Sequence, residues 1–149
     1  MSELNELYQQ VILDHNKSPK NYKECEGCNH SSEGYNPLCG DHIYIHLKVE
    51  DDIIKDITFT GIGCAISKAS ASLMTTALKG KTKKEAEELF EKFHKLVTSE
   101  IDEEQKDEGL GKLMVFSGVR EFPMRVKCAS LAWHTMLSAL KEEDKTSTE

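Results

Sequence analysis

Three cysteines stand where the chain changes direction. Cys39 lies in Asn36-Pro37-Leu38-Cys39-Gly40-Asp41, Cys64 closes Gly61-Ile62-Gly63-Cys64, and Cys128 follows Arg125-Val126-Lys127. A thiolate is both a metal ligand and a sulfur nucleophile, so cysteines at such junctions point to metal or sulfur chemistry. Asp41 follows Cys39 with only Gly40 between. A glycine there permits a turn tight enough to aim the Cys39 sulfur and the Asp41 carboxylate at one point. Cys64 sits where a strand gives way to a helix, and a helix N-terminus favours the ionised thiol. Gly61 and Gly63 would let backbone pass close to it. Three thiolates and one carboxylate form a four-ligand set that tetrahedral zinc accepts, and iron in a cluster also takes thiolates.

On residues alone, other readings stay open. Each cysteine could be a small buried hydrophobe. Periodicity cannot bring positions 39, 64 and 128 together. Cys25-Glu26-Gly27-Cys28 is a rival, a CxxC with His30 two residues on. Its spacing is that of zinc knuckles and thioredoxin-like redox pairs, and a zinc site of Cys25, Cys28 and two later ligands is chemically sensible. It lacks a second pair, however, and it does not open a helix after a strand. The histidines at 15, 30, 42, 46, 94 and 134 make no HExxH. His42 and His46 share one strand face and read as solvent-facing. The absence of a Walker loop, a GxGxxG and a GxSxG leaves little for phosphoryl transfer or serine hydrolysis.

The elements that must carry these residues follow from spacing. Leu4, Leu7, Tyr8, Val11 and Ile12 repeat at helical period, after Ser2 as N-cap and before a stop at Asn16 to Pro19. Residues 20 to 41 read as irregular. Ile43, Ile45, Leu47 and Val49 alternate with His42, Tyr44, His46 and Lys48, a half-buried strand. Glu50-Asp51-Asp52 turns the chain into a second strand with Ile53, Ile57 and Phe59 on one side. From Cys64 a helix carries the stripe Ile66, Ala69, Ser70, Leu73 and Ala77, stopped by Gly80. Thr82 and Glu85 form a capping-box pattern that opens the next helix. Residues 100 to 112 are acidic with Gly109 and Gly111, and read as an exposed connection or short helix. Pro123 opens the last helix, through Val126, Ala129, Trp133, Leu137 and Leu140. This order predicts an α+β fold, a small antiparallel sheet of about three strands packed on one face by helices.

Length and composition set the outer bounds. The chain has 149 residues, which predicts a single domain over 1–149 with a charged, frayed tail from about 142. A net charge of −7 argues against nonspecific nucleic-acid binding. No run approaches the ~18 apolar residues of a membrane span. The N-terminus has early acids and no basic region before an apolar run, so a cytoplasmic location is expected. Five cysteines, an odd number in a chain read as cytosolic, make a disulfide framework a poor reading.

At the three cysteine motifs the sequence resembles the IscU/SufU (NifU-like) iron–sulfur cluster assembly proteins. The residues that carry this are Asn36-Pro37-Leu38-Cys39-Gly40-Asp41, Gly61-Ile62-Gly63-Cys64-Ala65-Ile66-Ser67 and Arg125-Val126-Lys127-Cys128-Ala129, with Leu7-Tyr8, Asp14-His15, Pro19 and Ala69-Ser70-Ala71-Ser72. The IscU branch carries histidine immediately before its third cysteine, where this chain has Lys127. The span from Cys64 to Cys128 is also longer, with extra residues around 97 to 118. Both features resemble the SufU branch. That resemblance implies an IscU-like fold and zinc held by Cys39, Asp41, Cys64 and Cys128. It implies a sulfur acceptor for a cysteine desulfurase, a zinc-dependent sulfurtransferase if it is an enzyme at all. Arg125 is similar to the branch's basic residue three positions before the last cysteine, and Gly40, Gly63 and Lys127 are read as supporting. Cys39, on a loop beside Gly40, is expected to be the sulfur acceptor. The alternatives are a scaffold for a [2Fe–2S] cluster that is passed to apo-proteins, and a structural zinc module that only binds a partner. The Cys25 and Cys28 pair belongs to neither branch's pattern.

Overall fold

The structure, a computed structural model, describes residues 2–98, 110–142 and 145–147. Helix α1 (Ser2–Lys17) leads through an extended segment into strand β1 (His30–Asn36). Strands β2 (Asp41–Glu50) and β3 (Ile53–Ile62) form the expected hairpin. Helices α2 (Ala65–Leu78) and α3 (Lys83–Val97) follow, then a 3-10 helix (Gly111–Glu121), helix α4 (Pro123–Leu140) and strand β4 (Lys145–Ser147). The sheet order is β3-β2-β1-β4, with β1, β2 and β3 antiparallel and β4 parallel to β1. The fold is α+β, with the helices on the inner face of the sheet.

Local chemistry explains most element boundaries. The β2–β3 turn consists of Asp51 and Asp52, both at positive φ (54° and 62°), with Glu50 paired to Ile53. That is the two-residue geometry whose twist matches a hairpin, and aspartate tolerates it better than most side chains. The Thr82 hydroxyl accepts from the Glu85 amide and the Glu85 carboxylate accepts from the Thr82 amide, so the capping box holds at both ends. Pro123 occupies the first turn of α4. The core joins Ile43, Ile45, Leu47, Ile57 and Phe59 of the sheet to Leu73, Met74, Phe93, Trp133 and Met136. Trp133 stacks on Phe93 with ring centroids 4.6 Å apart.

Several sequence expectations are corrected. The segment read as irregular between 20 and 41 contains β1. Its inner residues are Ser32, Gly34 and Asn36, which carry no hydrophobic alternation, because α4 packs against them at short range. Ser32 bonds Ser138 at 2.8 Å, Gly34 faces Thr135 and Leu131, and Asn36 reaches Cys128. Four residues of strand span ~13 Å and ten of helix ~15 Å, so the two elements stay in step, running antiparallel. In β3 the buried residue is Ile54 rather than Ile53. A register shift between Lys48 and Val49 places Lys55 as the extra residue of a bulge, which puts Ile54 and Ile57 on the same side. The tail expected to fray from 142 pairs at 145–147 with Glu33, Gly34 and Tyr35. Leu110, in the stretch read as exposed, is buried, and the 3-10 helix buries Leu113, Val115, Phe116 and Val119. Gly111 and Lys112 are exposed as read, and 100–109 lies outside the described residues. Among the described residues no helix is long and apolar enough to cross a membrane.

A methyl group at Gly34 would overlap the Thr135 hydroxyl and press on Leu131. Gly34→Ala should therefore lower stability by about 1–3 kcal/mol, through overpacking between β1 and α4. The check is urea unfolding, with a lower midpoint at unchanged slope. An unchanged midpoint would mean that α4 does not sit this close to the sheet.

Candidate metal centre

The fold brings the three junction cysteines and Asp41 to one end of the sheet. Cys39 is half-buried in the connection from β1 to β2. Gly40, at φ +70°, turns the chain so that Asp41 can begin β2 paired with Asn36. Asp41 is fully buried. Its Oδ1 accepts from the backbone amide of Cys64 at 2.8 Å, and its Oδ2 lies 3.9 Å from the Cys64 sulfur. Cys64 is the N-cap of α2, its sulfur accepting from the Ser67 amide at 3.4 Å. Cys128, on the inner face of α4, is 3% exposed and its thiol donates to the Cys39 sulfur at 3.2 Å. The ligand atoms of Cys39, Asp41 and Cys128 all lie within 4.8 Å of one another. Cys64 stands outside this trio and adjoins it through Asp41.

The thiols do not titrate alike. Hydrogen bonding with Cys128, and then the amides of Ser67 and Ile66, pull the Cys64 thiol down to about 7 against the opposing effect of burial. The same bond, with burial and the bond to Cys39, pushes the Cys128 thiol far above the usual range. The two shifts run in opposite directions, and the more acidic thiol is Cys64 at the helix start, where the exposed amides favour negative charge.

This donor set fits a cation. A fully buried carboxylate beside three thiols is costly unless its charge is compensated. No Lys or Arg among the described residues pairs with Asp41. Sulfur and carboxylate oxygen are both zinc donors. Gly63 is needed for a steric reason, since a Cβ there would lie 2.9 Å from Asp41 Oδ1 and 3.2 Å from Ser67 Oγ.

Of the supporting residues read from the sequence, Gly40 and Gly63 are at the cluster. Lys127 is half-buried one residue before Cys128, and Arg125 is exposed with its guanidinium over the Phe122 ring at 4.3 Å. No histidine joins the cluster among the described residues. The residue that sequence reasoning passed over is Asn36. Its Nδ2 donates to Asp41 Oδ2 at 3.3 Å and to the Cys128 sulfur at 3.7 Å, so one amide ties the carboxylate to α4. Its position on β1, opposite Asp41, was hidden with that strand. The rival pair, Cys25 and Cys28, is joined as a disulfide with Cα atoms 5.7 Å apart, in the segment between α1 and β1. It lies apart from the cluster, and it is the one covalent cross-link among the described residues, where a disulfide framework had been read as poor.

Known proteins share this arrangement of chain. Residues 7–141 match the family described as NifU-like N terminal domain. The chain is 41% identical over 141 residues to the iron–sulfur cluster assembly scaffold protein IscU of Streptococcus pyogenes serotype M1, covering 95% of this chain and 87% of that protein. It is 38% identical over 144 residues to the zinc-dependent sulfurtransferase SufU of Bacillus subtilis strain 168, covering 95% and 94%. Among solved structures, a candidate iron–sulfur cluster assembly scaffold protein for the SUF system from Fervidobacterium islandicum AW-1 superimposes with a TM-score of 0.80 at 37% identity, covering 88% of this chain and 94% of that one.

The buried charge sets an expectation with two opposite signs. Asp41→Asn keeps an acceptor for the Cys64 amide and removes the uncompensated charge, so metal-free protein should be as stable or more stable. The stabilisation gained on adding zinc should shrink by about 1.4 kcal/mol for each tenfold of affinity lost, with at least one such step. Thermal unfolding with and without zinc reads both. An equal zinc-induced shift in the two proteins would remove Asp41 from the ligand set.

Proposed function

The chain belongs to the NifU-like N-terminal domain family, that of the IscU and SufU iron–sulfur cluster assembly proteins, and from that premise we propose that it is a zinc-bound sulfur acceptor serving a cysteine desulfurase. Cys39, Asp41, Cys64 and Cys128 would hold the metal. The observation that carries this reading is the meeting of the Cys39 and Cys128 sulfurs with the buried Asp41 carboxylate, with the Cys64 sulfur 3.9 Å from that carboxylate and no Lys or Arg among the described residues paired with it. The Bacillus subtilis relative's name joins zinc to sulfur transfer, and Lys127, where the IscU branch has histidine, favours the same branch.

Bound zinc would supply a positive charge that keeps the thiols ionised. The chain's own residues divide the remaining work. Cys64 is tied to the start of α2 and Cys128 is buried in α4, so both are anchored. Cys39 is half-buried on a loop beside Gly40, which makes it the sulfur free to meet a partner. Its thiolate attacks the outer sulfur of a persulfide carried on a desulfurase cysteine. A bond forms between the Cys39 sulfur and that outer sulfur, the partner's S–S bond breaks, and the partner cysteine leaves as thiolate. The proton of the persulfide travels with the transferred sulfur. Asn36 holds Asp41 and Cys128 in place as Cys39 moves.

Cys39→Ser should abolish acceptance of persulfide sulfur, at least 100-fold, while the desulfurase's own activity in the absence of this protein is unaffected. Mass spectrometry of the alkylated chain after incubation with desulfurase and cysteine reads the transfer. Unchanged transfer overturns the assignment of Cys39. Anaerobic incubation with ferrous iron and sulfide separates this reading from the scaffold one. A cluster that assembles on the chain and passes to an apo-protein would favour the scaffold, as the Streptococcus relative is named.

A further inference from the structure

The Cys25–Cys28 segment has a role available to it that the sulfur-acceptor reading does not use. The backbone fixes where this segment lies. Phe59 donates to Asn21 and accepts from Lys23, while the Asn29 amide donates to Leu47. Phe59 and Leu47 flank the paired residues Thr58 and His46 on neighbouring strands. Residues 24–28 therefore cross the outer face of the sheet over His46. This covers a histidine that its strand face alone would leave to solvent.

What lies beneath the segment lacks partners. His46 Nε2 and Thr58 Oγ1 are both buried with no hydrogen-bond partner, and Thr58 is fully buried. Ser31 Oγ holds the other ring nitrogen, Nδ1, at 3.1 Å, which aims Nε2 at the covering segment. The nearest acidic group is Glu24, with Oε2 at 3.9 Å from Nε2. That is too long for a hydrogen bond. Two donors on one tetrahedral zinc, with metal–ligand lengths of about 2.0–2.2 Å, stand about 3.4 Å apart. Cys25 is the next residue after Glu24, and Gly27 at φ +80° makes the tight turn that returns Cys28.

We infer that, once reduced, Cys25 and Cys28 join His46 and Glu24 in a second site for a thiophilic divalent cation, with zinc the fitting ion. A CxxC with one imidazole and one carboxylate is a complete tetrahedral set. The site is closed while the disulfide stands, because both sulfurs are bonded to each other. A dithiol opens it: the Cys25–Cys28 bond breaks, each sulfur takes one electron and one proton, and the dithiol leaves as its own disulfide. Zinc binding then releases both thiol protons. This second site lies on the outer face of the sheet, whereas Asp41 and Cys128 face inward against the helices.

The test is zinc counted per chain by native mass spectrometry on the full-length protein, reduced with a phosphine and loaded with zinc. Two zinc ions are expected in the unaltered chain and one in Cys25→Ser/Cys28→Ser. His46→Gln, and separately Glu24→Gln, should weaken the second zinc at least tenfold and leave the first unchanged. A Cys128→Ser chain should keep the second zinc while losing the first, so failure of the sulfur-acceptor site and failure of this one give different patterns. A single zinc in the reduced, unaltered chain overturns the proposal. So does a second zinc whose affinity ignores His46→Gln and Glu24→Gln, which is an adventitious ion only.

Discussion

The Asp41 carboxylate is the constraint on which the site end of the molecule depends. It is fully buried, and the groups around it meet it through hydrogen bonds and close packing. It fixes the Cys64 amide, and with it the place where β3 ends and α2 begins. It receives the Asn36 side chain, and so fixes β1 against β2 at their closed end. It excludes any side chain from Gly63. Hydrogen bonds alone compensate a buried charge incompletely, and no cationic side chain among the described residues offsets it. The same economy that makes this corner awkward without a cation makes it receptive to one. Removing the carboxylate would relieve the protein and weaken what it can hold, which separates a binding group from a structural one.

The second organising relation is the fit of α4 to β1. Cys128, Leu131, Thr135 and Ser138 recur on one side of the helix and meet Asn36, Gly34 and Ser32 on the strand. Small and polar residues on both sides let backbone come close, so the sulfur of Cys128 is delivered to the carboxylate by an interface with little hydrophobic bulk. That interface explains why the buried positions 32, 36, 135 and 138 are serine, asparagine, threonine and serine. Their hydrogen bonds set the register, and large apolar residues would hold the helix further from the sheet.

Much of the fold was legible because its signals are local. Ile43 to Val49 alternate without interruption, and Thr82 and Glu85 cap each other across one turn. Strand β1 was not legible, since Ser32, Gly34 and Asn36 owe their burial to α4, about a hundred residues away. The shift from Ile53 to Ile54 was equally hidden, because a bulge changes which residues face inward without changing composition. At the site, spacing marked Cys39 and Asp41 as neighbours but could not join Cys64 and Cys128 to them. The family resemblance supplied that joining, and the geometry of the fold then gave it distances. Asn36 stayed unread as a contributor because its role exists only once β1 is paired. His46 was read as open to solvent for the converse reason, that a covering loop leaves no periodic trace.

The pairing of Asn36 and Cys39 with Cys128 also has a kinetic meaning. These contacts close separations of 92 and 89 residues. Loop closure of that length must precede any gain from the contact, and chains dominated by such pairings cross their barrier slowly. The hairpin and the capped α3 form from neighbours, whereas the cluster completes only when α4 docks. An ion held by contacts that close this late would slow unfolding and leave the folding rate nearly unchanged. A loaded cluster would then be a latch on the finished molecule and not a seed for its assembly.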